Sequence, residues 1–61
     1  MNKLTASQES KVDYYRGKGY EIELLRWIGR SVIYKMRPLG IGSLGFVAIG
    51  PNGAIEETWT E

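Results

Sequence analysis

The chain has 61 residues, a formal net charge of +1, no cysteine and no histidine. That length holds one domain, residues 1–61, with one thin core. The missing residue types exclude disulfide staples, thiolate metal sites and histidine-based catalysis, and they leave good local structure or a partner chain to stabilise the fold.

Thr5-Ala6-Ser7-Gln8 opens a helix, because Thr5 can cap backbone amides while Gln8 reaches back to complete a capping box. The run continues through Arg16 and stops at Gly17 and Gly19, where glycine accepts the left-handed conformation that ends helices. Its apolar stripe is narrow: Leu4, Val12 and Tyr15, with Gln8 and Tyr14 at the margins. A helix this short is marginal alone and has to dock on something.

Tyr20 to Arg37 is expected to form a hairpin with a three-residue bend at Ile28-Gly29-Arg30. That register puts Tyr20, Ile22 and Leu24 on one face with Val32, Tyr34 and Met36, and sets Glu21 opposite Arg37 and Glu23 opposite Lys35. A shift of one residue would place glutamates beside Tyr34 and Met36, so the alternation of side chains selects the register. Continued to the bend, it groups Leu25, Trp27 and Ile33 as an apolar patch on the face away from the helix. Arg26 and Arg30 then lie at its rim. Small proteins seldom leave such a patch bare, which implies a partner.

The connection Pro38-Leu39-Gly40-Ile41-Gly42-Ser43 leads to a second hairpin. Gly50-Pro51-Asn52-Gly53 suits a type I turn followed by a glycine at positive φ, flanked by strands Leu44 to Ile49 and Ala54 to Trp59. The first of these is apolar on both faces, as in a strand covered on both sides; the second is expected to be partly exposed. The fold class is therefore α+β: one N-terminal helix packed on a four-stranded, mostly antiparallel sheet made of two consecutive hairpins.

Gly40-Ile41-Gly42-Ser43-Leu44-Gly45 spells GxGxxG, and Val47 extends it to the kinase-like GxGxxGxV. The dinucleotide version needs a helix directly after the glycines, and the kinase version needs a lysine where Gly50 stands. The glycines here lead into strand residues, so both are rejected. Ser7, Ser10, Ser31 and Ser43 lack a nucleophile-elbow context, and Glu56-Glu57 point to opposite faces of a strand. No catalytic, cofactor or metal site is expected, and no small-molecule ligand.

Charge is unevenly spread. From Arg16 to Arg37, six basic residues (Arg16, Lys18, Arg26, Arg30, Lys35 and Arg37) face only Glu21 and Glu23, a local +4; from Pro38 onward the chain carries −3. A basic strand pairing with an acidic one explains this, and so does a basic surface for nucleic acid. The N-terminal Met1-Asn2-Lys3-Leu4-Thr5 has no apolar run behind it, and the uncharged stretch from Pro38 to Ile55 is broken by glycines and a second proline. A cytoplasmic protein with no membrane contact is expected.

The succession Lys18-Gly19-Tyr20-Glu21-Ile22-Glu23 after a helix, closing on Ala48-Ile49-Gly50-Pro51-Asn52-Gly53-Ala54-Ile55-Glu56-Glu57, resembles the layout of small uncharacterised proteins of bacteriophages and mobile elements. That resemblance implies a non-enzymatic protein that modulates a larger machine. The expected function is an interaction module that self-associates, as a homodimer or larger, or docks on a host or viral protein through Leu25, Trp27, Ile33, Arg26 and Arg30. The competing reading is nucleic-acid contact through Arg16, Lys18, Arg26, Arg30, Lys35 and Arg37.

Overall fold

The computed structural model describes residues 3–38, 40 and 42–60, so Leu39 and Ile41 of the connection lie outside the described residues. Helix α1 (Ala6–Gly17) precedes β1 (Tyr20–Ile28), β2 (Ser31–Pro38), β3 (Leu44–Ile49) and β4 (Ile55–Thr60). The strands form one sheet in the order β1-β2-β3-β4, each antiparallel to its neighbour. The expected α+β class and the pair of hairpins are both present.

The capping box forms as its residues dictate. Gln8 N–H donates to Thr5 Oγ1 at 3.1 Å and Thr5 N–H donates to Gln8 Oε1 at 2.9 Å. At the other end Lys18 N–H donates to the carbonyls of Tyr14 and Tyr15, and Gly19 turns the chain out at φ +87°. One face of α1 buries Gln8, Val12 and Tyr15. Val12 and Tyr15 meet Val32, Tyr34 and Met36 of β2 and Val47 and Ile49 of β3, with Leu4, Tyr20, Ile22 and Trp27 packed around them. Fully burying an apolar side chain of this size contributes about 1.5–3 kcal/mol.

The first hairpin follows the expected register through its open half: Glu21 lies opposite Arg37, Glu23 opposite Lys35 and Leu24 opposite Tyr34. The Glu23 and Lys35 side chains pair at 3.5 Å. Beyond Leu24 the expectation fails. The turn is one residue shorter than the three-residue bend, Ile28 pairs with Ser31, and the surplus residue, Leu25, is absorbed as a bulge in β1. Gly29 takes φ +60° and, among the described residues, no non-glycine residue has positive φ, which fits a two-residue type II′ turn with glycine first. That turn matches strand twist better than a three-residue bend, and the bulge is its consequence. Since one inserted residue inverts every side chain that follows, Trp27 now lies opposite Val32 on the helix-covered face.

The second hairpin matches its signals. Gly53 N–H donates to the Gly50 carbonyl at 2.9 Å, Gly50 N–H donates to the Ala54 carbonyl at 2.8 Å, and Gly53 has φ +89°. This is a type I turn with a glycine bulge, and β4 starts one residue later than expected. Gly45, the last glycine of the GxGxxG string, is a strand residue opposite Trp59. A Cβ there would stand 2.6 Å from the Trp59 ring, so the indole occupies the space a side chain would take. Among the described residues no helix is long and apolar enough to cross a membrane.

Candidate interaction surface

The helix covers only one face of the sheet. On the other, two cross-strand rows can be followed from edge to edge: Arg26–Ile33–Ala48–Glu56 and Glu23–Lys35–Phe46–Thr58. Ile33, Phe46 and Ala48 at the centre, and Lys35 beside Phe46, are half-buried by their neighbours in the sheet and covered by no other element. Glu21, Glu23 and Glu56 balance Arg26, Lys35 and Arg37 on this face, which leaves an apolar centre inside a charge-neutral rim. The expectation that β3 is covered on both sides is corrected here: its inner positions Gly45, Val47 and Ile49 are buried, while Leu44, Phe46 and Ala48 are only half so.

The bulge divides the expected patch. Ile33 keeps its place on the open face and the bulge turns Arg26 onto it, opposite Ile33; Leu25 sits at the bulge, 45% exposed; Arg30 lies exposed in the turn. Trp27 belongs to the covered side, where with Thr5, Gln8, Arg30 and Pro51 it lines a shallow depression beside the helix N-terminus. Leu25, Trp27 and Ile33 therefore do not form one surface. Phe46 is the open-face aromatic that the sequence reasoning missed. Its alternation with buried Val47 carried the signal, once only one face is taken as covered.

The basic residues do not converge. Lys35 and Arg37 stand opposite Glu23 and Glu21, Arg26 shares its row with Glu56, and Arg16 and Lys18 belong to the C-terminal end of α1 and its cap. The local +4 of the sequence is thus divided among the open face, a turn and a helix end.

A second cluster lies on the covered side. Tyr14 and Tyr15 meet edge to face at 5.5 Å between ring centroids, as do Tyr20 and Trp59 at 6.3 Å, while Tyr15 and Tyr20 lie tilted at 34° with centroids 5.7 Å apart. Lys18 Nζ lies 4.9 Å from the Tyr14 centroid and donates to the Tyr14 hydroxyl at 3.1 Å. Glu57 accepts from the Tyr15 hydroxyl and, at 3.2 Å, from Trp59 Nε1. Burial, then the bond to the Glu57 carboxylate, pushes the Tyr15 phenol far above the ordinary tyrosine range; burial also raises Tyr34. Both phenols hold their protons at neutral pH, so neither is poised as a base. Among the described residues no three acidic, histidine or cysteine side chains come together as a metal site.

No protein-family profile, curated protein or solved structure matches this chain. What it does has to be argued from its own surfaces.

Proposed function

We propose that this chain is a non-enzymatic interaction module that docks on a protein surface through the open face of its sheet. Ile33 and Phe46 form the apolar centre, with Arg26, Lys35 and Glu23 at the rim. One observation carries the reading: the sheet has a helix on one side only, and the other side presents apolar groups inside a ring of balanced charge. Interface cores are depleted in charge and aromatic-rich, with polar groups at the rim, and this face has that composition. The balance of charge also weighs against nucleic acid, whose binding draws mainly on phosphate neutralisation by converging cations. Relative to the sequence expectation, Phe46 replaces Trp27 as the aromatic anchor.

The test is site-specific photocrosslinking in cells that make the protein, with a benzoylphenylalanine in place of Phe46 and, as a control, in place of the exposed Tyr14. A discrete protein adduct at position 46, absent at 14 and lost on adding Ile33→Glu, is the expected result. Equal labelling from both positions would overturn the proposal. Retention on a nucleic acid, falling steeply with salt and unaffected by Ile33→Glu, would favour the basic reading instead.

A further inference from the structure

The two edges of the sheet differ. At β1, the bulge at Leu25 breaks the pairing register and kinks the strand, a device that protects an edge from further pairing. At β4, six consecutive residues from Ile55 to Thr60 pair with β3 without interruption, all are exposed, and none is proline, lysine or glycine. β4 has the form of an edge that accepts another strand. This inference goes beyond the open-face reading and does not depend on it.

We infer that β4 pairs with β4 of a second copy, antiparallel about a two-fold axis at Thr58, joining two sheets into one of eight strands. The ladder fixes which groups are available. The Gly50–Ala54 bond closes the hairpin, so alternation makes Ile49 opposite Ile55 a non-hydrogen-bonded pair. Counting on, the backbone groups of Glu56, Thr58 and Thr60 turn toward β3, and those of Ile55, Glu57 and Trp59 turn outward.

Side chains then choose the register. A two-fold axis normal to the sheet pairs residues of like face, so it must pass through a residue of β4. Centred on Glu56 or Glu57, it sets that glutamate against its own copy, a like-charge pair that destabilises. Centred on Trp59, it leaves only Trp59–Trp59 and Thr58–Thr60 to pair among the described residues, and centred on Thr60 only that residue. Centred on Ile55, it sets Glu56 and Glu57 against Ala54 and Gly53 of the turn, outside the strand. Centred on Thr58, it puts Glu56 opposite Thr60 and Glu57 opposite Trp59, with threonine against threonine at the axis and no glutamate facing another. The outward N–H and C=O groups of Glu57 and Trp59 then bond reciprocally across the junction. Both helices fall on one side, and the two open faces join on the other.

The absence of cysteine makes the register directly measurable. In this arrangement the two Thr58 residues form a non-hydrogen-bonded pair with Cα atoms about 4.5 Å apart, within disulfide reach. In oxidised glutathione, Thr58→Cys is expected to convert to a disulfide dimer at least tenfold faster than Glu56→Cys, whose counterpart lies four residues away along the strand. Sedimentation of the wild type should show dimer growing with concentration. A synthetic chain N-methylated at Trp59, which loses one outward donor and keeps every side chain, should be at least tenfold weaker in dimerisation, with an unchanged circular dichroism spectrum. A monomer at millimolar concentration, equal rates for the two cysteine variants, or an unaffected N-methyl dimer would each overturn the pairing. A dimer abolished by Phe46→Glu yet indifferent to N-methylation would move the contact to the open face and also overturn it.

Discussion

Gln8 Nε2 donates to the carbonyl of Ile49 at 3.0 Å, across 41 positions of sequence, from a side chain with no exposed surface. The same nitrogen donates to the Arg30 carbonyl at 2.9 Å, while Oε1 accepts from Thr5 N–H. One amide thus caps the helix and fastens it to the turn end of the first hairpin and to the end of β3. Gln8→Glu retains the acceptor for Thr5 but places a carboxylate against two carbonyls, and Gln8→Ala takes the side-chain donor from both carbonyls and the acceptor from Thr5 N–H. Each is expected to cost about 2–3 kcal/mol in urea denaturation, a figure set by the unsatisfied groups left behind. Retention of stability by Gln8→Glu would show that the latch contributes little.

The opposition of Glu23 and Lys35 at 3.5 Å is solvent-exposed, so its coupling is small. Reversing either charge alone is expected to lower stability by about 0.2–1 kcal/mol, and exchanging both should recover most of it. A double-mutant cycle in denaturant gives the coupling, and a value of zero would mean that the pair contributes nothing in solution.

This pair, Glu21 with Arg37 and the alternation of Tyr20, Ile22 and Leu24 were legible in the sequence because a period of two and opposite charges admit one register. The position of Trp27 was not. Gly29 fits a three-residue bend and a two-residue turn equally well as a residue type, and nothing in Leu24-Leu25-Arg26 marks which residue will be surplus. Strand twist decides it, and twist belongs to the paired sheet. Likewise Gly45 reads as part of a glycine loop until Trp59, fourteen residues on, is seen lying over it. The open face was half legible: Ile33 was placed on it, while Arg26 reached it only through the bulge and Phe46 was hidden by a strand apolar on both sides.

Gly53 combines φ +89° with close packing, since a Cβ there would stand 3.3 Å from Ser7 Cβ and 3.6 Å from Lys11 Cε. Gly53→Val is expected to cost about 1–3 kcal/mol from backbone strain alone. Gly53→Ala should cost less, because it lacks the branch that presses on the helix. Thermal melts of the two variants check the order, and a parent-like melt for the valine variant would contradict it.

Tyr15 and Tyr34 carry raised folded-state pKa values, so the folded protein holds protons that the unfolded chain releases near pH 10. Their contribution is complete below the unfolded value and is lost as pH rises toward the folded ones. Between its unfolded and folded values each tyrosine lowers stability as pH rises, because the unfolded chain loses the proton that the folded protein keeps. Denaturant midpoints from pH 8 to 11.5 should fall in the upper part of that range, and Tyr34→Phe should make the fall shallower. A flat profile would mean that these phenols titrate alike folded and unfolded.

Each strand lies beside its neighbour in sequence, so the sheet can be laid down as a succession of local turns with little loop-closure entropy between one pairing and the next. The long closures fall on the helix N-terminus, where Thr5 Oγ1 donates to the Pro51 carbonyl and Gln8 reaches Ile49 across 46 and 41 positions respectively. Order of assembly and resistance to disassembly therefore reside in different parts of the molecule. Strand turns govern how quickly a chain finds its shape, whereas the threonine and glutamine that open the helix act as a clasp closed afterwards, and loosening that clasp should shorten the lifetime of the folded state while leaving its rate of formation nearly untouched.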